Sequence, residues 1–572
     1  MTNQGPIQID QRARFEILGA ILLAMFLSAL DQTIVGTALP RIVTDLKGNE
    51  LYVWVVTIYL LTSTVTGPIY GKISDLYGRR PMMMLGVGLF LAGSVLSGIS
   101  QEMWQLIAAR GFQGLGAGAI FPISLAVIGD LFTPRERGKY QGLFGAVFGI
   151  SALIGPFLGG FLTDNLSWHW VFFVNVPVGL ISLYIIWRLL PPIKHPESAG
   201  SIDYLGSAVF AAAIVPILIG LTNKQFGDWT DPEVGGLILI GLAFSALFVW
   251  VESRAAEPIV PLGLFRNRTF TSSVITVFLA AFGFFGAIIF VPRWFQAVYG
   301  SSATESGYQM FPLLIGLLGS SIISGYAISR TGKYKLLVVG AMAVMSIGLF
   351  LMTNLRAETD FWTIAVWMFI AGVGLGPTMA AFTIVVQNAV PMNMLGVATS
   401  DLTFFRQVGG TVGLAIAGTL FGNALTSEIP TQLTAAGVPA QLVSQLGSGQ
   451  INNGEITAVG NLGATILQAT PEQFRPLVEP FIPNIVAGFH EAFSLAIGST
   501  LWLGVGAAVI GGLCVLFFLP ELPLRHHFGD EPDEPVAESL AALEPTLEVP
   551  APGTSRQGSG RAPDLRPGRE RG

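Results

Sequence analysis

The chain has 572 residues, of which 52% are apolar and only 12% are charged, about half the charged fraction of a soluble domain. A soluble globule of this composition would expose far too much apolar surface, so that class is excluded. The formal net charge of −6 excludes little, because charge in a membrane protein acts through its location, but the single cysteine, Cys514, excludes an internal disulfide.

Apolar stretches long enough to cross a bilayer recur along the chain. A helix needs about 20 apolar residues to span the hydrocarbon core, and twelve runs without Asp, Glu, Lys or Arg reach about that length. Two further segments each contain one charge: 15–40 contains Asp31, and 103–128 contains Arg110. The sequence therefore predicts an all-α integral membrane protein with fourteen transmembrane helices.

The basic residues predict the orientation of these spans. Most of the 30 Lys and Arg lie in the loops on the same side as the N-terminus, and such loops face the cytoplasm. Because the number of predicted spans is even, we expect both termini to be cytoplasmic.

Similar segments recur in the two parts of the chain at a nearly constant offset. The loop 71–80 resembles 325–335, and Gly-Leu-Gly occurs at both 114–116 and 374–376. Parallel repeats of this kind are a common plan of transporters. We expect a cytoplasmic N-terminus at 1–14, six-helix halves at 15–191 and 269–520, an inserted helix pair at 203–252, an outside loop at 428–489 and a disordered cytoplasmic tail at 525–572.

The repeat also shows that the two charges named above are not duplicated. Asp31 aligns with Gly283, and Arg110 aligns with Ile370. We therefore expect the N-terminal half to handle protons and the C-terminal half to contribute to the substrate cavity. The aromatic wall of that cavity is expected to consist of Phe278, Phe282 and Phe285.

Asp31 and Arg110 are the strongest functional candidates, because an ionisable residue inside a membrane span is costly to keep. An Asp that alternates between a buried site and a nearby cation can load and release a proton. The alternative is a permanent structural pair with Arg110, which itself either tunes Asp31 or bonds helix carbonyls. We expect Gln32 and Gln113 to join this polar network.

A further buried cation, Arg406, lies in the thirteenth predicted span. Asp401 stands five positions earlier, and we expect it to satisfy Arg406. The arginine is therefore expected to be mostly structural, while remaining a candidate for the substrate cavity.

The charged segment 71–80 predicts a gating loop. Gly71 and Gly78 permit a tight turn, and Asp75 can cap a helix N-terminus while attracting Arg79. Arg135 and Arg137 are alternative partners for that carboxylate. A simpler alternative is membrane anchoring by Lys72, Arg79 and Arg80.

Small residues dominate the fifth predicted span between positions 149 and 160. Small residues let helices approach closely, and a Gly-Pro step permits a kink. The residues concerned are Gly149, Gly155, Pro156, Gly159 and Gly160.

Patterns for other chemistry are absent from the sequence. No Gly-Lys pair completes a phosphate-binding loop, and no nucleophile elbow occurs. The five His show no metal-ligand spacing apart from an adjacent pair in the tail. We therefore expect no catalytic residue, no metal, no nucleic-acid partner and no enzyme activity.

Four of these segments, 30–40, 71–80, 110–116 and 149–160, resemble signature motifs of the major facilitator superfamily. Together with fourteen spans and the segment 168–179, they resemble its drug:proton antiporter branch, typified by the EmrB/QacA exporters. The resemblance implies a proton-handling role for Asp31, a coupling role for Arg110, a gating role for 71–80 and an antiporter motif at 149–160. Two positions depart from the pattern: His169 stands where Arg is usual, and Gly36 where Asn is frequent.

The expected function is export of amphiphilic drugs and dyes in exchange for protons by alternating access. The proton gradient is the only energy source, without a cofactor, and the expected site is a bacterial cytoplasmic membrane, with lipid as a partner and the protein as a monomer. One alternative is a dedicated exporter of a lipid, siderophore or secondary metabolite, for which the loop 428–489 leaves room for an extracytoplasmic partner. Another is a sensor that does not transport.

Overall fold

The computed structural model describes residues 10–46, 51–191, 203–224, 227–255, 258–391, 394–447, 463, 467 and 475–524. Within these residues the fold is helical, and no strand occurs in them. The predicted tail at 525–572 lies outside the described residues. The helices are α1 (Gln11–Asp45), α2 (Tyr52–Tyr77), α3 (Arg79–Gly98), α4 (Met103–Leu131), α5 (Pro134–Asn165), α6 (Trp170–Phe173), α7 (Asn175–Leu189), α8 (Tyr204–Asn223), α9 (Leu237–Glu252), α10 (Arg268–Val298), α11 (Ala303–Gln309), α12 (Phe311–Thr331), α13 (Lys335–Met352), α14 (Phe361–Asn388), α15 (Leu395–Ala435), α16 (Ala440–Gly447), α17 (Arg475–Val478) and α18 (Ile482–Phe518).

The membrane-crossing potential of these helices follows from their length and composition. Twelve helical segments among the described residues are long and apolar enough to cross a bilayer. The helices α2, with 26 residues, and α5, with 32, are comparably long. The fold is therefore that of a multi-pass membrane protein, and the predicted total of fourteen spans is consistent with it.

Several helices begin where a side chain caps the free backbone N–H groups. Thr133 and Glu136 form a capping box at the start of α5, and Asn267 and Asp360 cap α10 and α14. Such caps satisfy donors that have no partner within the helix. In the sequence, these capping residues are polar and stand before long apolar runs, so they indicate where the helices begin.

The packing of the helices repeats along the chain. In the first part, α1 packs against α5 and α7, while α2 and α3 pack against α4. In the second part, α10 packs against α15 and α18, while α12 and α13 pack against α14. The helices α8 and α9 pack against each other, and α8 also contacts α2 and α15. The described helices thus pack as two groups with similar connections, together with the pair α8 and α9.

The two bundles meet along α2–α15 and α5–α12. Gly71 of α2 lies so close to Ser400 of α15 that a Cβ atom at position 71 would collide with the serine side chain. The expected turn at 71–80 is therefore wrong for Gly71, because α2 continues to Tyr77 and only Gly78, with a φ of 102°, separates it from α3. Gly71 serves the contact between the bundles instead.

The expected outside loop at 428–489 contains helix at both of its ends. The helix α15 has 41 residues and continues to Ala435, and α18 begins at Ile482. Most of the residues between 448 and 474 lie outside the described part of the chain. The connection is thus shorter than the sequence suggested, because both helices run beyond their apolar spans.

Candidate functional site

A buried polar network surrounds Asp31 on α1. The Asp31 side chain is 0% exposed. Arg110 of α4 donates from Nη1 to Oδ2 at 2.5 Å, and Gln113 donates from Nε2 to Oδ1 at 2.9 Å. Asn175 of α7 also donates to Oδ1, at 3.1 Å. Within the described residues, the side-chain donors to this carboxylate come from two helices, α4 and α7.

Arg110 has contacts that do not depend on Asp31. Its Nε donates to the carbonyl of Val55 at 3.3 Å, and its Nη1 to Oε1 of Gln113 at 2.7 Å. The guanidinium carbon also lies 4.2 Å from the ring centre of Tyr59, a distance at which cation–π attraction acts. The cation is therefore held in place even when the charge of Asp31 is neutralised.

Asn175 was not predicted as a site residue from the sequence. It lies at the start of α7 and also donates to Ser94 Oγ at 3.0 Å, which in turn donates to the Phe172 carbonyl at 2.9 Å. The sequence did contain one signal for this role, because Asn175 is the one Asn or Gln in the apolar segment 168–179. Only the fold shows that this amide reaches Asp31.

Gln32 enters the network indirectly. Its side chain hydrogen-bonds the Tyr59 side chain, whose hydroxyl also lies 3.0 Å from Ser28 Oγ. Because consecutive residues of a helix point in different directions, Gln32 does not face the same partners as Asp31. It is half-buried, whereas Gln113 is fully buried beside Asp31.

The small residues of α5 fix the position of α1. A Cβ atom at Gly155 would collide with the Thr33 side chain, and one at Gly159 would lie 2.9 Å from the Ile34 carbonyl. Thr33 donates from Oγ1 to the carbonyl of Ser151 at 3.0 Å. This close contact begins two residues after Asp31 and sets its depth in the bundle.

The remaining positions of the 149–160 segment differ in their surroundings. Gly149 faces Leu318 of α12, so it belongs to the contact between the two bundles. Gly160 has space, with Thr304 Oγ1 as the nearest atom at 3.9 Å from an added Cβ. Pro156 lies within α5, and its side chain is outside the described residues.

A second polar cluster connects the two bundles, and we call it the latch. It consists of Asp75, Arg79 and Asp130 with the first N–H groups of α15. Asp75 pairs with Arg79 and accepts hydrogen bonds from the backbone N–H groups of Gly396 at 3.1 Å and Val397 at 3.0 Å. Arg79 Nε donates to Asp130 Oδ2 at 2.8 Å. A carboxylate at a helix N-terminus is electrostatically favoured.

The other basic residues considered for the gating segment have different surroundings where the structure describes them. Arg137 donates to the carbonyls of Gly129 and Phe132, so it bonds backbone rather than Asp75. The side chain of Arg135 lies outside the described residues, and Arg80 is half-buried. Arg79 is the predicted cation that pairs with Asp75 in the described part of the chain, because the start of α3 directs it back towards α2.

The predicted pairing of Arg406 with Asp401 is wrong. Both carboxylate oxygens of Asp401 are buried without a hydrogen-bond partner, and so is Nη2 of Arg406. Residues five positions apart on a helix point about 140° away from each other. The C-terminal bundle therefore does carry buried charge, although not at the positions that align with Asp31 and Arg110.

The aromatic residues of α10 pack against a row of small residues on α15. The rings of Phe278 and Phe282 stack with centres 6.1 Å apart. A Cβ atom at Gly410 would lie 2.8 Å from the ring of Phe285, which is 36% exposed. Gly283, the counterpart of Asp31, packs against Gly504 of α18 instead of carrying a charge.

Comparison with known proteins decides the family. The pattern of the Major Facilitator Superfamily matches residues 21–414. The chain belongs to the Major Facilitator Superfamily.

Relatives of this superfamily member share most of its length. Multidrug transporter protein MdtP of Bacillus subtilis is 36% identical over 518 residues, covering 89% of this chain and 94% of the relative. Multidrug resistance protein 3 of Bacillus subtilis is 38% identical over 419 residues, covering 73% of this chain and 81% of the relative.

Solved structures share the superfamily fold. The human organic anion transporter MFSD10 (TETRAN) superposes with a TM-score of 0.56 over 88% of this chain and 99% of its own, at 14% identity. Proteins of this superfamily are transporters and not enzymes. Within the described residues, no group of three or more His, Cys, Asp and Glu is arranged to hold a metal ion.

Proposed function

We propose that this superfamily member exports amphiphilic small molecules, drugs and dyes among them, in exchange for protons by alternating access. The observation that carries the proposal is the fully buried carboxylate of Asp31, bound by Arg110, Gln113 and Asn175. The names of the bacterial relatives support drug export. The proton gradient supplies the energy without a cofactor, and the protein is a monomer in the bacterial cytoplasmic membrane with both termini inside.

The network explains how one proton can be coupled to a change in conformation. An ionised carboxylate buried without partners costs several kcal/mol, and the three donors around Asp31 offset this cost. When Asp31 binds a proton, the attraction to Arg110 is lost, whereas Arg110 keeps the Val55 carbonyl and the Tyr59 ring. Protonation therefore loosens α1 from α4 and α7 without leaving a cation unheld.

The latch is the second element of the proposed alternating-access mechanism. It joins α2 to the start of α15 through Asp75, Gly396 and Val397. We assign this end to the cytoplasm, so that the conformation described is closed to the cytoplasm and the substrate leaves on the opposite side. The substrate cavity is proposed to lie between the bundles, with Gln32 and Arg406 as its polar contacts and Phe278, Phe282 and Phe285 as its aromatic wall.

A dedicated exporter of an endogenous amphiphile is the second candidate. It is favoured by the length of α15, whose 41 residues correspond to about 60 Å of helix, twice the hydrocarbon thickness. The far end of α15 and the start of α18 would form a platform outside the membrane, suited to a lipid-like substrate or an extracytoplasmic partner.

Reconstituted protein tests the proposal. Wild type in liposomes is expected to concentrate ethidium under an imposed pH gradient, and Asp31→Asn is expected to abolish this uptake because the proton site is lost. Asp45→Asn, at an exposed ion pair with Arg41 near the end of the same helix, is the matched control and should transport as wild type does.

The outcomes separate the candidates. Ethidium transport that survives Asp31→Asn would refute proton coupling through this residue. If wild type moves no dye but moves an amphiphile from a panel of lipids, siderophores and secondary metabolites, the dedicated exporter is correct. If it moves nothing, a sensor without transport takes the place of both.

A further inference from the structure

A second group of acids lies where the inserted helix pair meets α15, away from Asp31. Asp401 of α15 is 0% exposed, and neither of its carboxylate oxygens has a hydrogen-bond partner. The charge of Glu252, which lies at the end of α9 and is 3% exposed, acts on Asp401. Glu252 accepts a hydrogen bond from the Val260 N–H at 2.6 Å through Oε1, while its Oε2 is unpartnered.

Asp203 and Lys72 are further charged residues that act on Glu252. Asp203, at the start of α8, has a buried, unpartnered Oδ2 that lies beside Gly206 together with Oε2 of Glu252. Lys72 of α2 acts on Glu252 with the opposite charge. Among the described residues, the carboxyl groups of Asp203, Glu252 and Asp401 therefore lie in a part of the structure whose walls are otherwise apolar.

The walls of the site consist of buried apolar side chains from four helices. They are Val65, Val209, Phe210, Phe248 and Phe404, with Ile259 and Val260 from the segment after α9. An ionised Asp401 in such surroundings, with neither oxygen accepting a hydrogen bond, is strongly disfavoured. The negative charge of Glu252 acts unfavourably on Asp401 as well, so one proton bound at this pair of acids relieves both penalties.

We propose that Asp401 and Glu252 form a second proton-binding site, through which the inserted helix pair takes part in proton coupling. The inference rests on the proposed function and adds a second proton to it. The proton enters from the outside while the latch is closed, binds a carboxylate oxygen, and leaves from the same oxygen to the cytoplasm when the latch opens.

The latch provides the route by which water reaches Asp401. Asp401 lies about one and a half turns after Gly396, whose N–H is bound by Asp75. Ser400, the residue before Asp401, packs directly on Gly71 of α2. When α15 separates from α2, the segment that buries Asp401 opens, and the carboxyl group can exchange its proton with the cytoplasm.

Infrared difference spectroscopy tests the site without any substrate. In purified wild type, we expect a carboxyl C=O band that shifts in heavy water and disappears when the buffer pH is raised. Asp401→Asn should remove this band, and Glu252→Gln should shift it, whereas Asp31→Asn should leave it in place. A band that persists at every pH, or one that Asp401→Asn does not change, overturns the proposal.

Transport measurements test the second proton separately. Two protons exchanged for one ethidium cation move net charge, so a membrane potential alone, negative inside the compartment from which ethidium is exported, should drive export by wild type. In the Asp401→Asn variant, export driven by a pH gradient should continue, whereas the rate of export driven by the membrane potential should fall at least ten-fold. If the variant exports ethidium equally well under a pH gradient and under a membrane potential, the inference is overturned. Absence of all ethidium transport in wild type refutes the drug export, while the infrared bands still decide the site.

Glu252→Gln keeps the test decisive if Asp401→Asn does not fold. Glu252 lies at the end of α9 and keeps its Oε1 contact with the Val260 N–H after the change to an amide. It should show the same loss of potential-driven export. A folded Glu252→Gln protein with a wild-type response to potential contradicts the shared site.

Discussion

Asp75→Asn should shift the protein towards the conformation that is open at the latch. The substitution keeps one oxygen acceptor but removes the negative charge that faces the N–H groups of Gly396 and Val397. Hydrogen bonds to charged groups contribute about 1.5–3 kcal/mol each. A loss of about 2–3 kcal/mol corresponds to a shift of about 30- to 150-fold in the equilibrium between the two conformations. Arg79 keeps its contact with Asp130 at 2.8 Å, so the fold should survive.

The labelling of a single cysteine measures this shift. Thr399→Cys, in a chain where Cys514 is replaced by Ser, places a thiol at a site that is 0% exposed. A water-soluble maleimide should label it at least ten-fold faster after Asp75→Asn. Asp130→Asn is the matched control, because it removes the other partner of Arg79, whereas the carboxylate that binds the N–H groups of α15 is that of Asp75. Equal acceleration by both variants, or none by Asp75→Asn, would refute the reasoning.

Two further predictions concern the N-terminal bundle. Gly155→Ala should lower the unfolding temperature in detergent, at a cost of about 1–3 kcal/mol, because the added Cβ meets Thr33; Gly160→Ala has space and should not, and equal losses would contradict this account. Asn175→Ala should slow pH-driven ethidium transport about ten-fold, because it removes a donor to Asp31 worth about 1–3 kcal/mol. Unchanged transport rates in proteoliposomes would show that the Asn175 contact is dispensable.

Much of the fold could be predicted because it depends on local composition. Long apolar runs mark membrane helices directly, since a bilayer permits few other backbone structures. Asp31 and Arg110 could be singled out for a similar reason, because a charge within such a run needs a partner. Their separation of 79 positions was no obstacle, since each was conspicuous in its own span.

The features that could not be predicted from the sequence depend on contacts between segments that are distant in the chain. Nothing local distinguishes Gly71 as a packing residue, because the serine that it touches lies on α15. Asn175 looks like any polar residue near a helix start until α7 is placed beside α1. Asp401 and Arg406 looked like a pair in the sequence, but the helix turns them to different faces. The carboxylate oxygens of Asp401 are instead buried without a hydrogen-bond partner.

The number of protons decides which substrates the exporter can concentrate. Moving one charge across 100 mV provides about 2.3 kcal/mol, about a fifty-fold gradient, whereas one pH unit provides about 1.4 kcal/mol. With Asp31 alone, exchange of one proton for one monocation moves no net charge, so the potential contributes nothing and dications are exported poorly. A second proton at Asp401 and Glu252 makes export of a monocation electrogenic and that of a dication electroneutral. Robust dication export that requires both Asp31 and Asp401 would therefore follow from two sites and would be incompatible with one.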